Sequence, residues 1–182
     1  PQLSHNLANL ALDVVQKSSG TAPTTNLVNI IDFCEAPWGL GVTLTPVQKV
    51  ILKAHYGIPL DDTDTFQIRD WRGQKTRTFT EKSYLRMLFD TGRCNIPEVI
   101  PGDERRELIL SVGRRSGKTF LAAVIAAYET YKLLMKGCPQ DYYGLVRTNI
   151  IQIVSVATDR EQAGLLYQEV SGHFRNCQFF LP

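Results

Sequence analysis

The apolar positions of the chain change period as one reads along it, and the changes mark out elements. Leu3, Leu7, Leu10 and Val14 recur at helical spacing and predict a short helix over residues 3–17. The turn-rich run Ser18 to Thr25 then reads as a connector. A second short helix near residues 26–34 leads into the loop Pro37-Trp38-Gly39-Leu40-Gly41. Thr45 and Pro46 have the chemistry of a helix start, with Thr45 as cap and the proline in the first turn; Val47 to Tyr56 continue that helix and Gly57 stops it. Alternation at Phe66, Ile68 and Trp71, followed by Thr76, Thr78 and Phe79, predicts a hairpin over 65–80. Thr80 caps a further helix carrying Tyr84, Leu85, Leu88 and Phe89, and a loop follows from Asn95 to Asp103.

Beyond that loop the pattern becomes strand, helix, strand, helix. The run Leu108-Ile109-Leu110-Ser111-Val112, within 107–112, suits a strand covered on both faces. Residues 118–136 form a long alanine-rich helix closed by Gly137 and Pro139. Residues 150–157 read as a second buried strand. Thr158-Asp159-Arg160-Glu161 is a capping box opening a helix with Ala163, Leu166, Tyr167, Val170 and Phe174 on one face, and Gln178 to Leu181 starts a third strand. This order predicts an α/β fold, a parallel sheet flanked by helices.

Composition narrows the picture only a little. The chain has 182 residues, 43% hydrophobic and 21% charged, which suits one ordinary domain or a domain with a small appendage. We divide it into a helix and linker at 1–25 and a main domain at 26–182. A net charge of +2 neither demands nor excludes nucleic acid. The basic run Arg69, Arg72, Lys75 and Arg77 reads as a solvated face. Cys34, Cys94, Cys138 and Cys177 lie far apart, as do His5, His55 and His173, so no metal-ligand spacing emerges and the cysteines read as small hydrophobes. No stretch has the length of a membrane span, and the amino end lacks a secretory pattern. A start at Pro1 leads us to expect a processed piece.

The densest chemistry is Gly113-Arg114-Arg115-Ser116-Gly117-Lys118-Thr119, between a predicted strand and a long helix. A glycine-rich turn before a helix aims several backbone N–H groups at one point, which is what phosphate oxygens require. Gly117 admits close approach, Lys118 suits the terminal phosphates, and the Thr119 hydroxyl suits a magnesium ion bridging them. The usual pattern, Gly-x-x-x-x-Gly-Lys-Ser/Thr, puts its first glycine at residue 112, where this chain has Val112. Arg114 or Arg115 beside a γ-phosphate would stabilise transition-state charge.

Val-Gly-Arg-Arg-Ser-Gly-Lys-Thr at 112–119 resembles the deviant phosphate loop of the large terminase subunits, the DNA-packaging motors of tailed bacteriophages. Upstream, Leu44-Thr45-Pro46-Val47-Gln48 resembles the adenine-recognition motif shared by terminases and helicase-type ATPases, with Gln48 reading the base edge. Trp38 and Phe33, just before it, read as core rather than as a platform for the base. Residues 155–163 also resemble the terminase segment after its second core strand.

The resemblance implies a RecA-like P-loop ATPase that binds ATP with Mg2+ and couples hydrolysis to translocation of double-stranded DNA. Arg114 would act on or sense the γ-phosphate. Partners would be double-stranded DNA, the portal protein, the small terminase subunit and further copies in a ring, in the host cytoplasm at the capsid portal. No apolar strand ending in Asp-Glu follows the loop, and Asp103-Glu104 sits after a turn; we therefore expect the front portion of the ATPase domain, inactive alone. Two other readings stay open: a helicase-type or other RecA-like ATPase, and a catalytically silent nucleotide-binding or assembly module.

Overall fold

Six helices, one hairpin and one 3-10 turn make up the regular structure of the described residues in a computed structural model, which describes residues 27–69, 75–113 and 116–181. The expected first helix and linker, the hairpin tip with Trp71 and Arg72, and both Arg114 and Arg115 lie outside the described residues. The chain divides into two units: one takes the residues up to Thr43 and from Val112 onward, the other Leu44–Ser111.

Unit Leu44–Ser111 is built by local signals that behave as their chemistry dictates. Helix α2, Pro46–Tyr56, begins with a capping box: the Thr45 side chain accepts from the Gln48 N–H, and the Gln48 side chain accepts from the Thr45 N–H. It ends at Gly57 in the left-handed region, φ 62°. A Cβ there would lie 2.5 Å from the Asp103 backbone nitrogen, so glycine is required twice over. Strands β1, Phe66–Arg69, and β2, Thr76–Phe79, pair antiparallel with Phe66 opposite Phe79. Both of those rings meet Tyr84 edge-on at 5.6 Å, which ties the hairpin to helix α3, Glu81–Asp90. Between α2 and α3 runs a largely buried ion pair, Lys53 Nζ to Glu81 Oε2 at 2.6 Å; the same oxygen accepts from the Asp61 N–H at 2.8 Å.

The other unit is organised around one ring. Phe33, on the short helix α1 (Ile30–Glu35), is fully buried and stacks on Tyr131 of helix α4 (Lys118–Met135) at 4.5 Å. Trp38, Tyr128, Phe179 and Phe180 surround it. The alanines of α4 let this cluster and helix α6, Arg160–Asn176, approach closely. Phe120 of α4 meets His173 of α6, while Tyr131, further along α4, meets Phe179 beyond the end of α6. The two helices therefore run in the same direction. A four-residue helix α5, Pro139–Tyr142, follows α4.

Several sequence expectations change here. The parallel sheet does not form among the described residues; the sheet present is the two-stranded β1-β2 ladder. Residues 107–112 and 150–157 carry no strand, and Ile109 and Val156 are 90% and 89% exposed. Apolar patterning records what a residue would tolerate in a sheet, whereas a strand exists only through hydrogen bonds to a neighbour, and neither run finds one. Residues 178–181 are not a strand either: Gln178–Phe180 is a 3-10 turn, because Phe179 is drawn into the Phe33 cluster and its N–H donates to the Trp38 carbonyl at 3.0 Å. The cap of α6 is Asp159 rather than Thr158, its carboxylate accepting from the Gln162 N–H at 2.8 Å. Tyr167, expected on the apolar face of that helix, points to solvent.

Candidate phosphate-binding site

Helix α4 starts without a side-chain cap. Its N-cap, Gly117, sits in the left-handed region at φ 76° and has no side chain to bond the first-turn N–H groups. A helix N-terminus left so carries unsatisfied donors and a partial positive charge, a combination suited to an anion. An 18-residue helix places that charge at a well-defined point.

The loop ahead of it folds over its own carbonyls. Ser116 Oγ donates to the Gly113 carbonyl at 2.7 Å. Lys118 Nζ turns back to the carbonyls of Val112 at 3.2 Å and Gly113 at 3.4 Å. Neutral carbonyls are weak partners for an exposed ammonium, and phosphate oxygens would form stronger charge-assisted bonds. Lys118 is thus held close to the helix mouth by contacts that an anion can replace. A Cβ on Gly113 would meet nothing within 4 Å and its φ is not positive, so neither packing nor backbone geometry demands glycine there.

Ser116, Gly117, Lys118, Thr119 and Phe120, together with Glu169 of α6, line a cleft of about 300 Å³. The Phe120 ring stands edge-on to His173 at 5.9 Å. Burial holds His173 below the ordinary histidine value, with the Glu169 carboxylate pulling the other way. Its Nε2 is buried without a hydrogen-bond partner among the described residues.

Of the residues singled out in the sequence, Gly113, Ser116, Gly117, Lys118 and Thr119 come together around this cleft. Gln48 belongs to the unit Leu44–Ser111. Its Oε1 accepts from the Thr45 N–H at 2.8 Å and from the Thr45 hydroxyl at 3.0 Å, which occupies both lone pairs of that oxygen. Phe33 is core, as read, and Trp38 packs edge-on against it. Asp103-Glu104 lies in a turn, with Asp103 3.9 Å from Arg105. Glu169 was not singled out by sequence, because its place depends on which turn of α6 falls beside the loop.

Among the described residues no helix is long and apolar enough to cross a membrane. No curated protein and no solved structure matches the chain. A family model does match, over residues 5–181, and it is described as uncharacterized protein MJ0330, N-terminal P-loop domain. Spanning almost the whole chain and agreeing with the uncapped α4, Gly117 and the returned Lys118, that match places this chain in the MJ0330 N-terminal P-loop domain family.

Proposed function

We propose that the chain binds ATP with Mg2+ at the loop before α4, and that it forms the ATP-binding part of a terminase-type motor driving double-stranded DNA into a capsid. The observation that carries nucleotide binding is the open N-terminus of α4 with Lys118 parked on two carbonyls beside it. Support for the motor is the spelling of the loop, Val112 to Thr119 with Arg114, together with Leu44-Thr45-Pro46-Val47-Gln48.

The residues fit the cofactor. First-turn N–H groups of α4 would take phosphate oxygens, and Lys118 would exchange its carbonyl partners for the terminal phosphates. Thr119 offers a hard oxygen of the kind magnesium accepts, and the ion would neutralise phosphate charge. Arg114, and Arg115 beside it, would stabilise charge on the γ-phosphate, and Gln48, its Oε1 engaged by Thr45, would read adenine through its amide N–H groups. We further propose that 107–112 and 150–157 are the parallel strands of a RecA-like sheet in the working motor. Their apolar, unpaired character supports this. The portal, a small terminase subunit and further copies in a ring would be its partners, at the portal in the host cytoplasm.

A helicase-type ATPase is the second reading, since the Leu44–Gln48 motif is shared with that class. Equilibrium binding of ATP and GTP, followed by turnover with double- and single-stranded DNA, tests both. We expect ATP to bind more tightly than GTP, and double-stranded DNA to be the stimulating form wherever turnover occurs. Failure of any triphosphate to bind would overturn the function, and stimulation by single strands alone would favour the helicase reading.

A further inference from the structure

The phosphate cleft has an acidic wall that phosphate binding alone does not explain. Glu169 lines it together with Ser116 to Thr119. Its place is set by packing: His173 is fixed against Phe120, and Glu169 stands one helical turn earlier on the same face of α6, which brings it level with the loop. A carboxylate so close to the seat of a polyanion repels it, unless a cation lies between them. Magnesium in nucleotide sites keeps most of its waters and takes one or two carboxylates together with the phosphates. Thr119 and Glu169 both line the cleft and bring to it a hydroxyl and a carboxylate.

We infer that Glu169 is the carboxylate that holds the hydrated divalent cation accompanying a bound triphosphate, so that the cleft selects the metal complex over the free nucleotide. This rests on the triphosphate reading of the loop. It adds an acidic group from a second helix, one that no motif in the sequence marks. The Glu169 carboxylate would accept hydrogen bonds from the waters of the ion, and the charge of the ion would screen it from the phosphates.

The test compares ATP affinity in Mg2+ and in EDTA for the wild-type chain, Glu169→Gln and Lys118→Ala, with circular dichroism to establish that each variant keeps its helices. Glu169→Gln is expected to bind Mg·ATP about 10- to 100-fold more weakly, the usual effect of removing a carboxylate around a metal. In EDTA it should bind free ATP more tightly than wild type, because a repulsive charge is gone. Opposite shifts in the two conditions are the signature, and a merely structural residue would move both the same way. Equal shifts, or none, overturn the role of Glu169 while a loss of binding in Lys118→Ala leaves the loop standing. Absence of ATP binding in the wild type, or unchanged binding in Lys118→Ala, overturns the loop and Glu169 with it.

Discussion

Lys118 Nζ donates to the carbonyl of Val112 at 3.2 Å, reaching back across the loop it follows. The bond is exposed and joins a charge to a neutral acceptor, so it adds little to stability while keeping the ammonium at the mouth of α4. Lys118→Ala should therefore leave the melting temperature nearly unchanged and lower triphosphate affinity by at least about tenfold. Calorimetric titration with ATP checks this, and an unaltered affinity would remove the loop from the site.

Gln48 has two candidate duties, and two substitutions separate them. Gln48→Ala removes the side chain that closes the capping box with Thr45 and should cost about 1 kcal/mol of stability, besides weakening any preference for ATP over GTP. Gln48→Glu keeps an acceptor for the Thr45 N–H but loses the amide donor, so stability should hold while base preference falls. Thermal melts and competition between ATP and GTP report the two effects. If Gln48→Glu discriminates as well as wild type, Gln48 is a cap and nothing more.

The pair Lys53–Glu81 is largely buried, with side chains 15% and 10% exposed. Glu81→Ala would leave the ammonium and the Asp61 N–H without their acceptor, at a cost of about 3 kcal/mol. Replacing both, as Lys53→Met with Glu81→Leu, should recover much of that loss, since the stranded charge disappears. Urea unfolding of the single and double variants is the measurement; equal instability of both would show that the pair is not what holds α2 to α3.

His173 sets an acid sensitivity with a definite sign. Burial lowers its folded pKa below the ordinary 6.5, so the unfolded chain takes up a proton first as pH falls. The contribution is fully present above pH 6.5 and is lost as pH drops through the folded value. An imidazole titration by NMR should find a midpoint under 6.5, and His173→Phe should flatten the stability profile there. A midpoint above that value would contradict the burial.

Residues 107–112 and 150–157 give the sheet proposal its own readout. As isolated extended runs their amide protons should exchange as fast as those of an open coil, whereas α4 amides stay protected. In an assembled motor the same amides should become slow. Exchange that remains fast on assembly would count against the RecA-like sheet.

Signals that act within a few residues were legible from the chain alone. Thr45 and Thr80 cap their helices, Gly57 ends α2, a hairpin forms within 65–80, and α4 begins at the Gly-Lys-Thr step. Each depends on hydrogen bonds to near neighbours or on one residue's backbone freedom, so the residue type carries the outcome. The cap of α6 fell one residue from its expected place because Thr158 and Asp159 are both able caps.

What tertiary structure decided was whatever needs a partner far along the chain. Apolar runs at 107–112 and 150–157 looked like strands, and without a ladder they are exposed coil. Phe179 left its expected strand for the ring of Phe33, well over a hundred residues earlier. Glu169 became part of the phosphate cleft only because α6 packs along α4 in the register that seats His173 on Phe120. The sequence by itself determined a phosphate-type loop opening a helix, since backbone geometry at Gly117 and the charge of Lys118 are local properties. Which side chain faces that loop is a matter of packing between helices, and packing is not written in any single stretch of residues.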